Sequence, residues 1–461
     1  MKILFIYKNE YVEPLGIMHL SAYMKRHGHE CDFIDIRFEK DLYGEVARVA
    51  PQIIAYSVTT GTHRSYQKLN MDLRKRFRFF AVFGGPHCTF FPEFIEEEGV
   101  DAICRGEGEL PLLELAEALG HGLGITGIKN LWVKTPDKIY RNDVRDLIDD
   151  LDTLPFADRE LVNKYNHYRK MHRRSVMTSR GCPYQCTYCF NHSYNALYKD
   201  KGRVVRRRSI ENVMLELKTI KQEHAPRRFH FWDDTFNLDH KWTAEFCRRY
   251  KDEIGLPFLV NVRMNMVNED FVRAIKDAGC ITVVTAIESG NEHIRNGVLK
   301  RGISEKQMVD SCALFNKYKL NIYIGNMTGL PDETLDMAFE TLALNIACKP
   351  SYSMICIYTP YPRTELCEYS KEKGYYNGDM DSIEASYFSK SVMKIKDLDK
   401  LVRFHHLFSL GAAFPAAIPL IKLLIRLPLD RIYLSLWHLH RAWCYFFKVR
   451  YIDISEIFIR E

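Results

Sequence analysis

The chain has 461 residues, of which 46% are hydrophobic and 27% are charged, and its formal net charge is +6. This length is too great for one compact core and predicts about three domains. The composition is that of a folded soluble protein and excludes a disordered chain. The small net charge, without a concentrated basic face, argues against a nucleic-acid binder, so we expect no nucleic-acid partner.

The cysteines and the N-terminus bear on the cellular compartment. Three of the thirteen cysteines fall between positions 182 and 189, and the other ten are scattered without regular spacing. Scattered cysteines among apolar residues are typical of reduced core positions rather than of a disulfide framework. The apolar run within residues 1–8 is too short for a signal peptide. We therefore expect a cytoplasmic protein.

Residues 1–143 are predicted to form the first domain. Short apolar strands at 3–7, 31–36, 53–56, 79–83 and 102–104 alternate with helical segments such as 16–27. This alternation indicates an α/β fold with a doubly wound parallel sheet, which binds ligands outside the carboxyl ends of its strands. The loops at 57–63, 84–87 and 105–109 lie at those ends. None is a GxGxxG fingerprint that opens the first helix, so we expect a large, flat ligand rather than a dinucleotide.

A linker is predicted at residues 144–172. A small hairpin at 131–133 and 138–140 precedes it, and the acidic stretch 146–152 is followed by Leu154-Pro155-Phe156. Prolines and clustered acidic residues of this kind indicate an extended connection. The second domain is then expected at 173–375 and a C-terminal helical region at 376–461.

The second domain begins with a tight loop that contains Cys182, Cys186 and Cys189. Such a loop can direct three thiolates to one place, and thiolates select iron–sulfur clusters, zinc or copper(I). An iron–sulfur cube normally takes four cysteines, so three would leave one iron with an open position. The alternative is a structural zinc site with His192 as the fourth ligand.

Strand and helix patterns then alternate to about residue 370. Strands are predicted at 228–232, 258–262, 281–286, 322–326 and 354–358, in addition to the strand that enters the cysteine loop. Ser209 is a good N-cap for a helix with an apolar stripe at Val213, Met214, Leu217 and Ile220. Six such strands predict a partial (β/α)6 TIM-type barrel with its chemistry at the carboxyl ends. The basic run 199–208 has no interleaved aromatic residues, so a solvated loop or a contact to an anionic ligand is favoured over RNA.

The C-terminal region has a different composition. Residues 407–421 carry no charge, and the following stretch is rich in aromatic residues and contains Lys422, Arg426 and Arg431. The uncharged stretch, with prolines at 415 and 419, is too short to span a membrane. Two interpretations remain open: a helical lid that closes the barrel, or an amphipathic surface for peripheral membrane contact or a lipidic substrate.

The motif Cys182-Pro183-Tyr184-Gln185-Cys186-Thr187-Tyr188-Cys189 resembles the signature of the radical S-adenosylmethionine (SAM) superfamily. This resemblance implies a [4Fe–4S] cluster on Cys182, Cys186 and Cys189, with SAM bound at the open iron. It also implies that SAM contacts residues at the strand ends, namely Tyr188, Asp233, Asp234, Arg263, Glu288, Ser289 and Gly329. For Asp233 and Asp234, a helix N-cap is the alternative role. Arg363 stands where the family usually has glycine and could direct a cation at the substrate.

The first domain is similar to the cobalamin-binding domain that precedes the radical SAM core in one subfamily. The similarity rests on Glu13-Pro14-Leu15-Gly16-Ile17 and on the loops at 84–87 and 105–109. It implies a flavodoxin-like, cobalamin-binding fold with contacts from Ser57, Thr59, Gly84, Gly85, His87, Gly106, Glu107 and Gly108. The DxHxxG motif that supplies a histidine to cobalt is absent from the sequence. For the nearby His19, His63 and His87, a hydrogen-bonding or structural role is favoured over a cobalt-ligand role.

The resemblance implies an enzyme with three cofactors: a [4Fe–4S] cluster, SAM and cobalamin. The expected activity is methylation of an unactivated carbon of a small-molecule or lipid-like substrate through a 5′-deoxyadenosyl radical. The hydrogen-atom step demands no general base, so no further catalytic residue is assigned. A flavodoxin- or ferredoxin-type electron donor is expected. The alternatives are radical cyclisation or rearrangement without methyl transfer, as in the anaerobic cyclase of chlorophyll synthesis, and a non-catalytic cobalamin sensor.

Overall fold

A computed structural model describes residues 1–8, 12–383, 388 and 391–450. The predicted C-terminal region, 376–461, therefore lies partly outside the described residues. The boundaries predicted for the four segments stay predictions. Within the described residues, no helix is long and apolar enough to cross a membrane.

The N-terminal part forms a seven-stranded sheet in the order β2-β1-β3-β4-β5-β6-β7. Strands β1 to β5 are parallel, whereas β6 and β7 pair antiparallel at one edge. The predicted parallel doubly wound sheet is confirmed, and the predicted hairpin extends it. The strands are β1 (Lys2–Tyr7), β2 (Glu30–Asp35), β3 (Ile53–Ser57), β4 (Phe80–Gly84), β5 (Ala102–Cys104), β6 (Leu131–Lys134) and β7 (Ile139–Arg141).

Helices cover both faces of this sheet, because alternate residues of the strands point to opposite sides. Ile3 and Phe5 of β1 belong to one apolar core, and Leu4 and Ile6 belong to the other. The helices are α1 (Leu15–Arg26), α2 (Leu42–Val49), α3 (His63–Arg74), α4 (Pro86–Phe90) and α5 (Glu109–His121).

The predicted linker is packed against the first domain. Leu161, Val162, Tyr165 and Tyr168 join the core on the Ile3 side of the sheet. The Tyr168 hydroxyl donates to Asp35 Oδ2 at 2.7 Å. This segment includes the short helix α6 (Asn166–Arg169). It therefore fixes the start of the second domain against the first.

The second sheet has six parallel strands in the order β15-β14-β13-β12-β11-β8. The two outermost strands, β8 and β15, each pair on one side only, so the sheet stays open. The predicted partial (β/α)6 barrel is therefore confirmed. The strands are β8 (Arg173–Val176), β11 (Arg228–Phe231), β12 (Phe258–Asn261), β13 (Cys280–Glu288), β14 (Asn321–Thr328) and β15 (Tyr352–Ile357). A separate two-residue ladder joins β9 (Ser179–Arg180) and β10 (Arg206–Arg207).

Helices surround the outside of this barrel. The side chain of Ser209 accepts from the backbone N–H of Asn212 and caps α8, as predicted. Helix α7, directly after the cysteine loop, was not predicted. The helices are α7 (Phe190–Leu197), α8 (Ile210–His224), α9 (His240–Glu253), α10 (Glu269–Asp277), α11 (Glu305–Lys317), α12 (Leu335–Cys348) and α13 (Glu365–Glu372).

The C-terminal helices cover the open edge of the barrel. Helix α14 (Leu398–Ala413) packs on β15 and α12, and α16 (Asp430–Trp443) packs on α14, with α15 (Ile418–Leu424) between them. The π-helical turn Cys444–Lys448 follows, and Cys444 and Val449 pack with Tyr323 and Tyr352. Thr282, near the start of β13, donates to the Val449 carbonyl at 2.6 Å. This region therefore closes the barrel at its edge and at the amino ends of its strands, opposite the cysteine loop.

Candidate active site

The cysteine loop lies at the carboxyl end of β8. Cys182 and Cys186 are buried, Cys189 is half-buried, and all three are free thiols. The Cys189 backbone N–H donates to the Cys186 carbonyl at 3.0 Å, and Asn195 of α7 donates to the Cys182 carbonyl at 2.9 Å. Burial raises the pKa of the Cys182 thiol. It also raises the pKa of the Cys189 thiol, to about 11. The fold thus holds three cysteines in one loop whose backbone is fixed by α7.

The residues around this loop fit a cluster better than a single zinc ion. Within the described parts of the chain, no three His, Cys, Asp or Glu side chains converge as the ligands of one metal ion do. Thiolates of an iron–sulfur cube bind separate irons and need not converge on a single atom. His192, the fourth ligand of the zinc alternative, has its Nε2 atom 3.5 Å from Glu365 Oε2. The imidazole is therefore paired away from the thiols.

Tyr188 and Glu288, two predicted SAM residues, are in direct contact. The Tyr188 hydroxyl donates to Glu288 Oε1 at 3.0 Å and accepts from Arg301 Nη1 at 2.6 Å. Burial raises the pKa of the Glu288 carboxyl, whereas Arg301 lowers it. Glu288 also has a φ of +67°, in the left-handed region, which is common for strained residues at functional sites.

The two neighbouring aspartates have different environments. Asp233 accepts from the backbone N–H of Thr178 at 3.2 Å, from the Thr178 hydroxyl at 2.7 Å and from the Ser179 hydroxyl. The buried carboxylate of Asp233 thus connects the segment after β8 to the segment after β11. Its predicted contact with SAM stays a prediction. Asp234 lies in the wall of a cavity beside Cys189, and burial raises the pKa of its carboxyl. Asp234 remains the candidate for the SAM ammonium group.

Arg263 lies next to the cysteine loop, and its predicted contact with SAM stays a prediction. Its guanidinium stacks over the Tyr184 ring at 3.6 Å, and Nη1 is 3.5 Å from Cys186 Sγ. Ser289 is buried, and its hydroxyl has no hydrogen-bond partner among the described residues. Arg363 instead forms an exposed ion pair with Glu93 at 2.9 Å, so the expected cation toward the substrate is not seen there.

Glu333 organises the turn that contains Gly329. Glu333 was not among the predicted site residues. Its Oε2 atom accepts from the Gly329 N–H at 2.6 Å, from the Leu330 N–H at 3.2 Å and from the Thr328 hydroxyl at 3.1 Å. Burial raises the pKa of the Glu333 carboxyl to about 7. The sequence feature that could have indicated this role is the acidic residue directly after Gly329-Leu330-Pro331-Asp332.

A cavity of about 340 Å³ lies at the carboxyl ends of the first sheet. Six of the predicted cobalamin residues line it: Ser57, Gly84, Gly85, Gly106, Glu107 and Gly108. Thr59 and His87 are not among the residues that line it, and their contact with cobalamin stays a prediction. Thr59 is within 3.2 Å of the Thr62 hydroxyl, and buried His87 bonds Thr60 at 3.1 Å. His87 also stacks on His63 with ring centroids 4.2 Å apart.

Two glycines in the wall of this cavity have no room for a side chain. Gly85 has a φ of +90°, and a Cβ there would lie 2.8 Å from the Val58 nitrogen. Gly106 has a φ of +77°, and a Cβ there would lie 1.8 Å from the Tyr198 hydroxyl. Side chains are excluded at both positions, and the backbone can approach a large ligand closely.

A second cavity, of about 640 Å³, joins the first sheet to the cysteine loop. It shares Gly85, Gly106, Glu107, Met177 and Arg180 with the smaller cavity, and its wall also includes Tyr188, Cys189 and Asp234. Gly85, Gly106 and Glu107, which are predicted for cobalamin, therefore line the same cavity as Tyr188, Cys189 and Asp234, which are predicted for the cluster and SAM. Ligands bound by the two domains at this cavity would therefore lie next to each other.

Ion pairs join the two domains around this cavity. None of these pairs was predicted from the sequence. Arg180 donates to Glu107 at 2.9 Å and to Glu109 at 2.6 Å. Buried Glu13 accepts from Arg159 at 2.7 Å and from Arg174 at 2.9 Å. The carboxylate of Glu107 is thus engaged with the second domain, although the residue still lines both cavities.

The family comparisons agree with this two-domain arrangement. Residues 1–116 match the B12 binding domain family, and residues 176–344 match the radical SAM superfamily. An uncharacterized methyltransferase of Pyrococcus horikoshii is 32% identical over 77% of this chain and 78% of that protein. The anaerobic magnesium-protoporphyrin IX monomethyl ester cyclase of Synechocystis is 23% identical over 79% of this chain and 74% of the cyclase.

The fold is shared with a solved enzyme of the same class. TsrM from Kitasatospora setae, a radical SAM methyltransferase solved with cobalamin and a [4Fe–4S] cluster bound, has a TM-score of 0.65 at 18% identity. The match covers 81% of this chain and 78% of TsrM. The family matches confirm the predicted cofactors, which are a [4Fe–4S] cluster, SAM and cobalamin. The chain belongs to the radical SAM superfamily, as a member whose radical SAM domain follows a B12-binding domain.

Proposed function

We propose that the protein is a cobalamin-dependent radical SAM methyltransferase that methylates an unactivated carbon of a small-molecule or lipid-like substrate. The observation that carries this proposal is the 640 Å³ cavity, which has Gly85 and Gly106 on one side and Cys189 on the other. A shared space of this kind is what methyl transfer between two cofactors and a substrate needs. When bound, the cluster and SAM supply a carbon-centred radical, and cobalamin carries the methyl group.

The cluster and SAM would be held by residues at the barrel's strand ends. Cys182, Cys186 and Cys189 would provide the cluster thiolates, and burial of the loop would exclude water. Asp234 and Arg263 carry opposite charges on either side of the loop and suit the ammonium and carboxylate groups of SAM. Arg301 and Tyr188 orient Glu288, which would then accept a hydrogen bond from the nucleoside.

Cobalamin would lie against the carboxyl ends of the first sheet. Ser57, Gly84, Gly85, Gly106 and Gly108 form the closer wall of the site. His19 lines the same cavity, and its buried Nδ1 has no partner among the described residues. Burial lowers the pKa of His19 to about 4, so its imidazole is neutral at physiological pH. A neutral imidazole suits a hydrogen bond to the cofactor's nucleotide tail.

Radical cyclisation or rearrangement is the second candidate, because the Synechocystis cyclase aligns with 79% of this chain. Isotope labelling separates the two activities. Reduced holoprotein is incubated with SAM carrying a deuterated methyl group and with an extract of small molecules and lipids. Methyl transfer puts deuterium into a product. Formation of 5′-deoxyadenosine with no labelled product would contradict the proposal and support cyclisation.

The third candidate, a non-catalytic cobalamin sensor, does not explain the buried Tyr188–Glu288–Arg301 contacts beside the cysteine loop. For the enzyme, we propose a flavodoxin- or ferredoxin-type electron donor and a cytoplasmic location. An obligate donor is tested by replacing the chemical reductant with reduced flavodoxin. Formation of 5′-deoxyadenosine should continue, and its loss would exclude flavodoxin as the donor.

A further inference from the structure

The exposed apolar side chains of this protein are concentrated in one region. Thirteen large apolar side chains are strongly exposed among the described residues, and eleven of them lie between Phe414 and Phe447. Scattered exposed apolar residues are normal in soluble proteins, whereas a contiguous patch marks an interaction site. The C-terminal helices therefore carry a surface that the barrel does not need for its own packing.

Helix α16 is apolar on its buried face and along an exposed stripe beside that face. Tyr433 and Trp437 are buried against α14 and the barrel edge. Leu436, Leu439 and Trp443 follow at intervals of three and four residues, which places them along one exposed stripe. Leu439 is 71% exposed and Trp443 is 46% exposed. An ordinary surface helix has a polar outer face, so this stripe requires another partner.

Helix α15 extends the same surface. Ile421 and Ile425 are buried, whereas Leu420 and Leu423 are exposed. We call the exposed set the C-terminal apolar face, and it consists of Leu420, Leu423, Ile432, Leu436, Leu439 and Trp443. The alternation of buried and exposed apolar residues shows that the two helices pack inward with one side and present leucines with the other.

Positive charges accompany the C-terminal apolar face. Lys422, Arg426, Arg431 and Lys448 are exposed. Asp430 is the sole acidic residue in the sequence between 414 and 450, and its carboxylate pairs with Arg403 at 3.1 Å. The surface is thus apolar and basic, with its one carboxylate already neutralised.

We propose that the C-terminal apolar face docks the protein on an anionic membrane surface. Basic residues beside exposed leucine and tryptophan are typical of helices that lie in the membrane interface. Helix α16 has 14 residues, fewer than the roughly 20 needed to span a bilayer, and packs against α14. A second copy of the chain would oppose like charges across the contact, which disfavours self-association. The proposal does not depend on the reaction that the enzyme catalyses.

Vesicle sedimentation of the full-length holoprotein tests this docking. Vesicles of phosphatidylcholine alone are compared with vesicles that also contain phosphatidylglycerol. We expect sedimentation with the anionic vesicles, weakened by salt. The triple variant K422Q/R426Q/R431Q should lower partition about a hundredfold, because each basic residue near an anionic surface contributes roughly a fivefold factor. The double variant L439E/W443E should abolish sedimentation.

A matched control uses the two strongly exposed leucines outside this region. Leu123 is 64% exposed and Leu215 is 58% exposed. The variant L123E/L215E makes the same chemical change and should sediment like the unmodified protein. Thermal melts should show that all variants remain folded. Absence of sedimentation with anionic vesicles, or equal loss in the control, would overturn the proposal. A dimer in light scattering that L439E/W443E converts to a monomer would overturn it in favour of a second copy.

Discussion

The hydroxyl of Tyr188 donates to Glu288 Oε1 at 3.0 Å, and this bond joins the cysteine loop to the end of β13. Arg301 completes the contact by donating to the same hydroxyl at 2.6 Å. Tyr188 lies directly before Cys189, so the arrangement couples the geometry of the loop to a carboxylate that can meet SAM. A buried contact of this kind fixes side-chain positions before ligands bind.

Tyr188→Phe should weaken SAM binding by about tenfold or more. The change removes a hydrogen bond to a charged group, worth roughly 1.5–3 kcal/mol, and frees Glu288 to rotate. Anaerobic calorimetry with the reconstituted protein measures the Kd for SAM. Tyr318→Phe is the control, because the Tyr318 hydroxyl donates to Glu269 at 2.8 Å on the surface. An unchanged Kd for Tyr188→Phe would remove Glu288 from the proposed SAM site.

Cys186→Ala should lose the iron–sulfur cluster and the formation of 5′-deoxyadenosine, but it should keep cobalamin. The cobalamin wall belongs mainly to the first sheet, whereas Cys186 belongs to the barrel. Iron, sulfide and cobalamin are counted on the purified variant. Cys31→Ala changes a half-buried cysteine far along the sequence and should retain all three. A full complement of iron in Cys186→Ala is incompatible with the assigned ligand set.

Glu13→Gln should lower the free energy of unfolding by about 3 kcal/mol, because it removes the buried carboxylate that pairs with two buried guanidinium groups. Burial opposes ionisation of this carboxyl, yet Arg159 and Arg174 keep its pKa below the ordinary value. Denaturation followed by tryptophan fluorescence gives the change. The control is Glu114→Gln. The Glu114 carboxylate lies on the surface, 2.8 Å from Arg145. The expected loss of unfolding free energy is therefore below about 1 kcal/mol. If both variants lost the same unfolding free energy, the contact of Glu13 with Arg159 and Arg174 would contribute no more than a surface ion pair.

Glu333 should make the protein less stable as pH rises from about 5 to 7. The carboxyl has a pKa of about 7 when folded and 4.5 as its ordinary value, so the folded state binds more protons in this range. The stabilisation present at low pH is lost through pH 7 and amounts to about 3 kcal/mol. Thermal melts across this range compare the protein with Glu333→Gln, which keeps an acceptor for Gly329 and cannot titrate. Identical pH profiles for the two proteins would refute the raised pKa.

Sequence patterns located the elements of the site but not the contacts between them. The cysteine spacing and the strand ends placed Cys186 and Glu288 at one end of the barrel and Gly85 at the carboxyl ends of the first sheet, because parallel strands end at the same side of a sheet. The neighbouring Asp233 and Asp234 could not be told apart. Their surroundings differ because Thr178 and Ser179 donate to Asp233 from another strand.

Contacts between residues that are distant in the sequence could not be predicted either. Glu13 and Arg159 are separated by 146 positions, and no local pattern pairs them. The composition of residues 407–447 indicated apolar helices, yet it could not show which side of α16 faces the solvent. That assignment depends on how α14 packs against β15, which the three-dimensional structure shows.

Anaerobic reconstitution tests the central claim most directly. The purified protein is loaded with iron, sulfide and cobalamin, reduced, and supplied with SAM. We predict about four irons, about four sulfides and about one cobalamin per chain, together with 5′-deoxyadenosine and methionine as cleavage products. Zinc in the cysteine loop, or intact SAM under strong reductant, would contradict the account.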